Sequence, residues 1–237
     1  MALGAVVLFS VFVALGTWQI QRRAWKLDLI ARVQERVHAP AVPVPPPAEW
    51  PRINAANSEY RHVLVSGEFL NDSETLVRAL TELGAGFWVL TPLQQADGSV
   101  VIVNRGFVPP EQGARAAHGV GEATTAATVT GLLRISEPRG SLLQRNDPAH
   151  DRWYSRDVQA IAAARGLRGV APYFIDADAS ALQPAGATAT SAAAPVGGLT
   201  VVTFRNTHLS YALTWYGLAL LVVVATWIVI REERRRA

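Results

Sequence analysis

Residues 209–230 read LSYALTWYGLALLVVVATWIVI, twenty-two in a row without a charge. As a helix at about 1.5 Å per residue the run is roughly 33 Å long, enough to cross the hydrocarbon core of a bilayer. Tyr211, Trp215 and Tyr216 stand near its first turns and Trp227 near its end, where amphipathic rings suit the two membrane interfaces. Arg231-Glu232-Glu233-Arg234-Arg235-Arg236 then stops it. A core helix would not need so long an uncharged run closed by arginines. The expectation is a transmembrane helix over 208–230 and a basic cytoplasmic tail over 231–237.

The other end of the chain carries a second such run. Ala2 to Ile20 (ALGAVVLFSVFVALGTWQI) is nineteen residues without a charge, followed by Arg22, Arg23 and Lys26, and would span roughly 28 Å. A signal peptide calls for a basic start, a shorter apolar core and a small-residue cleavage site. Here nothing basic precedes the core and Trp18-Gln19-Ile20 closes it, so residues 1–21 are read as an uncleaved anchor. Trp25, Leu29, Val33 and Val37 follow at four-residue spacing, which predicts an amphipathic helical extension over 22–38. Five prolines in Ala39–Pro47 (APAVPVPPP) end that helix and predict a stiff, extended spacer.

The layout constrains function before any motif is considered. Net charge is +3 and the pI about 9.7, but the arginines gather beside the apolar ends. That is the pattern of membrane-flanking charge, and nucleic acid is not expected as a partner. With no cysteine, disulfides, thiolate catalysis, iron–sulfur clusters and cysteine-based copper or zinc sites are excluded. The single methionine, Met1, excludes a Met-rich copper(I) site. The tail's arginines favour a cytoplasmic C-terminus and Arg22, Arg23, Lys26 and Arg32 pull the other way. Long loops translocate largely regardless of charge. The expected protein is therefore multi-pass in a cell (inner or plasma) membrane, with both termini cytoplasmic and the domain at 39–207 outside.

Within that domain the period changes to that of β-structure. His62–Phe69, Thr75–Leu80, Phe87–Leu93, Val100–Val108, Thr128–Ile135, Tyr173–Asp176 and Leu199–Phe204 are short, β-branched or aromatic, and bounded by Gly, Pro and Asp. Asp97-Gly98 predicts a hairpin turn between Trp88 and Val103. Asp157 caps VQAIAAAR, with Gly166 as its stop. The fold class that follows is a membrane protein of α+β type: two terminal transmembrane helices flanking a mostly antiparallel, barrel-like β domain with one or two helices. Pro109–Thr128 and Ala177–Gly198 are Ala-, Gly- and polar-rich and are expected to be mobile loops.

No catalytic motif is present: there is no phosphate-binding glycine loop, no Gly-x-Ser-x-Gly elbow and no His-Glu-x-x-His pair. An enzyme is not expected. His208, at the head of the second span, is the most informative ionisable residue, because a neutral imidazole there could coordinate a metal or haem iron. Arg205 could pair a propionate, with Tyr211, Trp215 and Trp18 as an aromatic wall. The same residues also suit a plain headgroup layer, with Asn206 or Thr207 as helix cap. Asn104-Arg105-Gly106 suits a bulge or sharp bend in a strand, with Arg105 either ion-paired or a partner contact.

Three segments resemble the surfeit locus protein 1 family. Leu15-Gly16-Thr17-Trp18-Gln19-Ile20-Gln21-Arg22-Arg23-Ala24-Trp25-Lys26 is similar to its Gly-x-Trp-Gln-x-x-Arg…Lys signature. Asn104-Arg105-Gly106-Phe107-Val108-Pro109 is similar to its Asn-Arg-Gly-Trp-Val-Pro motif, with Phe for Trp. Asn206 to Tyr216 (NTHLSYALTWY) is similar to Asn-x-His-x-x-Tyr-Ala-x-x-Trp-Phe. Residues 153–157 and 172–176 look like weaker family segments. The resemblance implies an assembly factor for haem–copper cytochrome c oxidase that binds haem a through His208 and assists its insertion into the large catalytic subunit. Oxidase subunits and the lipid bilayer would be its partners. Asn104, Arg105 and Gly106 are then candidate partner contacts. A haem-free membrane scaffold holding an oxidase intermediate is the competing expectation.

Overall fold

The computed structural model describes residues 2–116, 126–138, 144–179, 195–199 and 206–236. The chain divides into two units, one formed by residues 1–34 and 202–237 and the other by residues 35–201.

The first unit is a pair of helices. Helix α1 (Ala2–His38) is continuous, so the anchor and its amphipathic extension are one helix, and α5 (His208–Arg236) carries the second apolar run. Both are long and apolar enough to cross a membrane, and their lengths and composition fit a membrane protein. They meet along one stripe of each. Phe12 stacks on Trp215 with ring centroids 5.8 Å apart, and the Thr17 and Tyr216 hydroxyls lie 3.1 Å apart. Ala212 and Ala219 are buried. Gly16 lies against the Tyr216 ring, and a Cβ there would stand 2.8 Å from it. Small residues at such a seam let two helix backbones approach closely.

The second unit is a curled seven-stranded sheet. Its strands are β1 (Val42–Pro43), β2 (His62–Phe69), β3 (Thr75–Thr81), β4 (Gly84–Gln94), β5 (Val100–Val108), β6 (Ala126–Ile135) and β7 (Val170–Ala177), and its short helices are α2 (Ala55–Ser58), α3 (Pro110–Ala116) and α4 (Val158–Ala164). The order is β1-β2-β6-β7-β5-β4-β3, and β2 pairs again with β4 at Glu68–Gln94 and Phe69–Leu93. That second pairing closes β2, β6, β7, β5 and β4 into a five-stranded, partly open barrel with the connectivity of an OB-type fold. Every pairing is antiparallel except β1–β2 and β5–β7.

Two apolar layers explain why β5 reads as an unbroken hydrophobic run. Val101 and Val103 point into the barrel with Val63, Val65, Leu133, Tyr173 and Ile175. Ile102 points the other way, against Trp153, Val158, Ile161 and Phe174. Helix α4 (Val158–Ala164) covers this outer face, so β5 is buried on both sides. Asp157 caps α4 by accepting from Ala160 N at 3.1 Å, and Gly166, with φ +66°, ends it. Asp97 and Gly98 make the β4–β5 turn, Gly98 with φ +81° and Asp97 Oδ1 accepting from Ser99 N at 2.9 Å.

Three expectations change on folding. The proline-rich stretch is not a free spacer: β1 pairs with β2, and Val42, Val44, Trp50 and Ile53 pack on the barrel core. Trp50 Nε1 and the Tyr173 hydroxyl both donate to the Pro45 carbonyl, each at 3.1 Å. The stretch therefore uses its rigidity to close one end of the barrel. In Pro109–Thr128, α3 (Pro110–Ala116) forms and β6 starts at Ala126, because Pro at N1 pre-sets the helical φ; residues 117–125 lie outside the described residues. In Ala177–Gly198, Val196 exchanges two backbone hydrogen bonds with Phe107, each 2.9 Å, and residues 180–194 lie outside the described residues. The expected strand at Leu199–Phe204 also lies outside them, apart from Leu199.

Candidate functional site

At the head of α5, the His208 backbone N–H donates to Asn206 Oδ1 at 3.4 Å and Tyr211 N to the Thr207 carbonyl at 3.3 Å. Asn206 thus satisfies the first helical N–H from one residue further out than the cap position, Thr207, and His208 is the first helical residue. Its Nδ1 lies 2.8 Å from Gln19 Oε1 on α1. The residue across from His208 is therefore Gln19 and not Trp18. Successive helical residues are about 100° apart, and Trp18 turns outward, 54% exposed. Tyr211 is likewise exposed, whereas Trp215 is partly covered by its stack on Phe12. Arg205 lies outside the described residues.

His208 Nε2 has no hydrogen-bond partner among the described residues. No group of three or more His, Asp or Glu side chains is placed to hold a bare metal ion among them. A haem supplies four nitrogens of its own and asks of the protein one axial donor and an apolar or aromatic surface. His208 would supply that donor, with Tyr211 and Trp215 on the first turns of the same helix and Trp18 beside Gln19 on α1 as the aromatic residues in its vicinity.

The Asn104-Arg105-Gly106 segment forms the expected bulge. Val89 pairs with Gly106 and Leu90 with Asn104, leaving Arg105 as the extra residue of β5. Asn104 is buried, donates to Asp176 Oδ1 at 2.7 Å and accepts from Gly106 N at 3.1 Å. Gly106 has φ +129°, and a Cβ there would lie 2.3 Å from the Val196 carbonyl oxygen. Both residues are enclosed in the domain and shape the bulge, while Arg105 alone of the three reaches the surface. Its guanidinium stands 5.1 Å over the Phe69 ring and 3.8 Å from Glu74. Burial pushes the Glu74 carboxyl above its ordinary range, and the Thr91 hydrogen bond and the Arg105 charge offset this only in part.

A model of the SURF1 family matches residues 6–220. The chain belongs to that family. It is 36% identical over 220 residues to surfeit locus protein 1 of Mus musculus, covering 86% of this chain and 67% of that one. It is 37% identical over 222 residues to the Homo sapiens protein, covering 86% and 69%. A SURF1-like protein of Monosiga brevicollis is 34% identical over 232 residues, covering 92% and 83%. The SURF1 match takes in nearly all of α1, the first turns of α5 with His208, and the whole bulge.

Several residues of this SURF1 chain matter structurally but were not singled out by sequence. Gln19 stood inside the quoted first motif, and its spacing from Phe12 and Gly16 already put it on their face of α1. Asp176 accepts from Asn104, Arg134 and Arg156, and no local pattern announces that convergence.

Proposed function

We propose that this chain is an assembly factor for haem–copper cytochrome c oxidase that binds haem a through His208 and assists its insertion into the large catalytic subunit. Membership of the SURF1 family supports the reading, and the observation that carries it is His208 itself. It starts a membrane-length helix, faces α1, and keeps Nε2 without a partner among the described residues. Haem a is apolar except at its propionates, so helices at a membrane interface can hold it without exposing it to water. Trp18, Tyr211 and Trp215 supply aromatic surface and Arg205 a propionate partner. The β domain lies outside the cytoplasm and both termini inside, with Arg105 on the surface that meets oxidase subunits. No turnover is required of the protein.

Purification of the full chain from cells that make haem a tests this. Wild type should carry haem a and His208→Ala should lose it; equal haem content would sink the ligand role. A haem-free scaffold is the second reading. Leu80 and Leu83, 86% and 57% exposed at the β3–β4 hairpin, favour it as an apolar contact for another protein. It predicts that oxidase subunits co-purify equally with wild type and His208→Ala.

A further inference from the structure

The contact between Gln19 and His208 has a definite chemical polarity. The carboxamide oxygen of Gln19 can only accept a hydrogen bond. At 2.8 Å from His208 Nδ1 it requires the imidazole proton to sit on Nδ1, which leaves the Nε2 lone pair bare. The opposite orientation of the amide would present its NH2 to Nδ1, drive the proton to Nε2 and block ligation there. Gln19 is held on the α1 face that packs on α5, in register with Phe12 and Gly16. The contact therefore spans the two helices.

We infer that Gln19 is a positioning residue for His208, fixing the Nδ1–H tautomer and the ring's orientation so that Nε2 is presented to a haem iron. The inference rests on the proposed function. Partners of this kind, which hold the far nitrogen of a ligating histidine, change metal-site affinity by about 10- to 100-fold when lost. They also raise the basicity of the ligand. The arrangement ties haem affinity to the packing of α1 on α5, because the acceptor and the ligand come from different helices.

The test uses the full chain in nanodiscs, labelled with 15N-histidine, without and with haem a extracted from oxidase. His208 is assigned by difference from His208→Ala. In the haem-free wild type, its Nδ1 should give a pyrrole-like and its Nε2 a pyridine-like 15N shift. Gln19→Leu should lose that pattern and bind haem a at least tenfold more weakly. Gln19→Glu keeps the acceptor, so it should retain the tautomer and affinity and lower the midpoint potential of the bound haem. A wild type with its proton on Nε2, or a Gln19→Leu chain that binds haem a as tightly as wild type, overturns the positioning role. If wild type shows the Nδ1–H pattern and takes up no haem a, the proposed function fails, and with it the purpose assigned here to Gln19.

Discussion

The Asn104 side-chain amide donates to Asp176 Oδ1 at 2.7 Å, joining the central strands β5 and β7 at the register position where they pair. Asp176 is buried, and two guanidinium groups converge on it: Arg134 Nη1 at 2.9 Å and Arg156 Nη1 at 3.1 Å. Glu59 and Glu137 take the remaining faces of those arginines, whose guanidiniums lie 5.9 and 4.7 Å from the Phe174 ring. The Asn104 motif is thus one corner of a buried charge network.

Replacing Asp176 by Ala should cost about 3–5 kcal/mol, because it removes the buried carboxylate shared by two mostly buried guanidiniums, each left with only its glutamate partners, and takes away the acceptor of the buried Asn104 amide. Denaturant unfolding of the full chain in detergent, followed by tryptophan fluorescence, measures it. A loss below about 1 kcal/mol, the scale of an exposed ion pair, would contradict the network.

Gly106→Ala should destabilise the domain by about 1–3 kcal/mol from its backbone conformation alone, with further cost from the Val196 carbonyl 2.3 Å from the new Cβ. The neighbour is backbone and cannot swing away. Hydrogen exchange at Phe107 N, which bonds Val196 O at 2.9 Å, should accelerate in the variant; unchanged protection there would refute the close approach.

His62 links three stretches of chain, with Nδ1 2.9 Å from the Ala39 carbonyl and Nε2 2.8 Å from Asp178 Oδ2. Burial by itself lowers its pKa, but the Asp178 hydrogen bond, the Ala39 carbonyl and the Asp178 charge outweigh it, and the net shift is upward from 6.5. Both partners are acceptors, so the doubly protonated ring satisfies both. A raised folded-state pKa means that the contribution is fully present below the ordinary value of 6.5 and is lost as pH rises through the folded value. Stability of wild type should therefore fall between pH 6 and pH 8 relative to His62→Gln, and parallel curves would remove His62 as the cause.

Gly16→Leu should separate α1 from α5, since even a Cβ would meet the Tyr216 ring at 2.8 Å. Tyr216 would have to move, breaking its 3.1 Å contact with Thr17 and drawing Gln19 away from His208. Haem a content of the purified chain should drop at least several-fold while Gly16→Ala drops less. Equal haem in all three would disconnect the seam from the site.

Much of this molecule is legible from its residues. The strands at His62–Phe69 and Val100–Val108 have the bounds read from alternation and apolar runs, and Asp157 caps its helix as its position implies. The bulge at Asn104-Arg105-Gly106 is likewise readable, since Gly inside a strand marks a bend or a close approach. What misled was composition taken as mobility. Pro110–Ala116 is polar and Gly-containing yet helical, and the proline-rich stretch is packed on the barrel because Tyr173 and Trp50 both find the Pro45 carbonyl.

The sequence by itself determined the two apolar helices, the strand segments, the absence of cysteine chemistry and the motifs that place the chain in its family. These depend on residue type and on short-range periodicity, which act within a few residues. The tertiary structure alone decided that β2 closes on β4, that Asp176 gathers Asn104, Arg134 and Arg156, and that Gln19 meets His208 across 189 residues. Such pairings depend on which distant faces pack together, and no local period records that. The run at 209–230 by itself specifies a helix long and apolar enough to cross a membrane, and only the packing of α1 on α5 brings Gln19 to within 2.8 Å of His208 at its head.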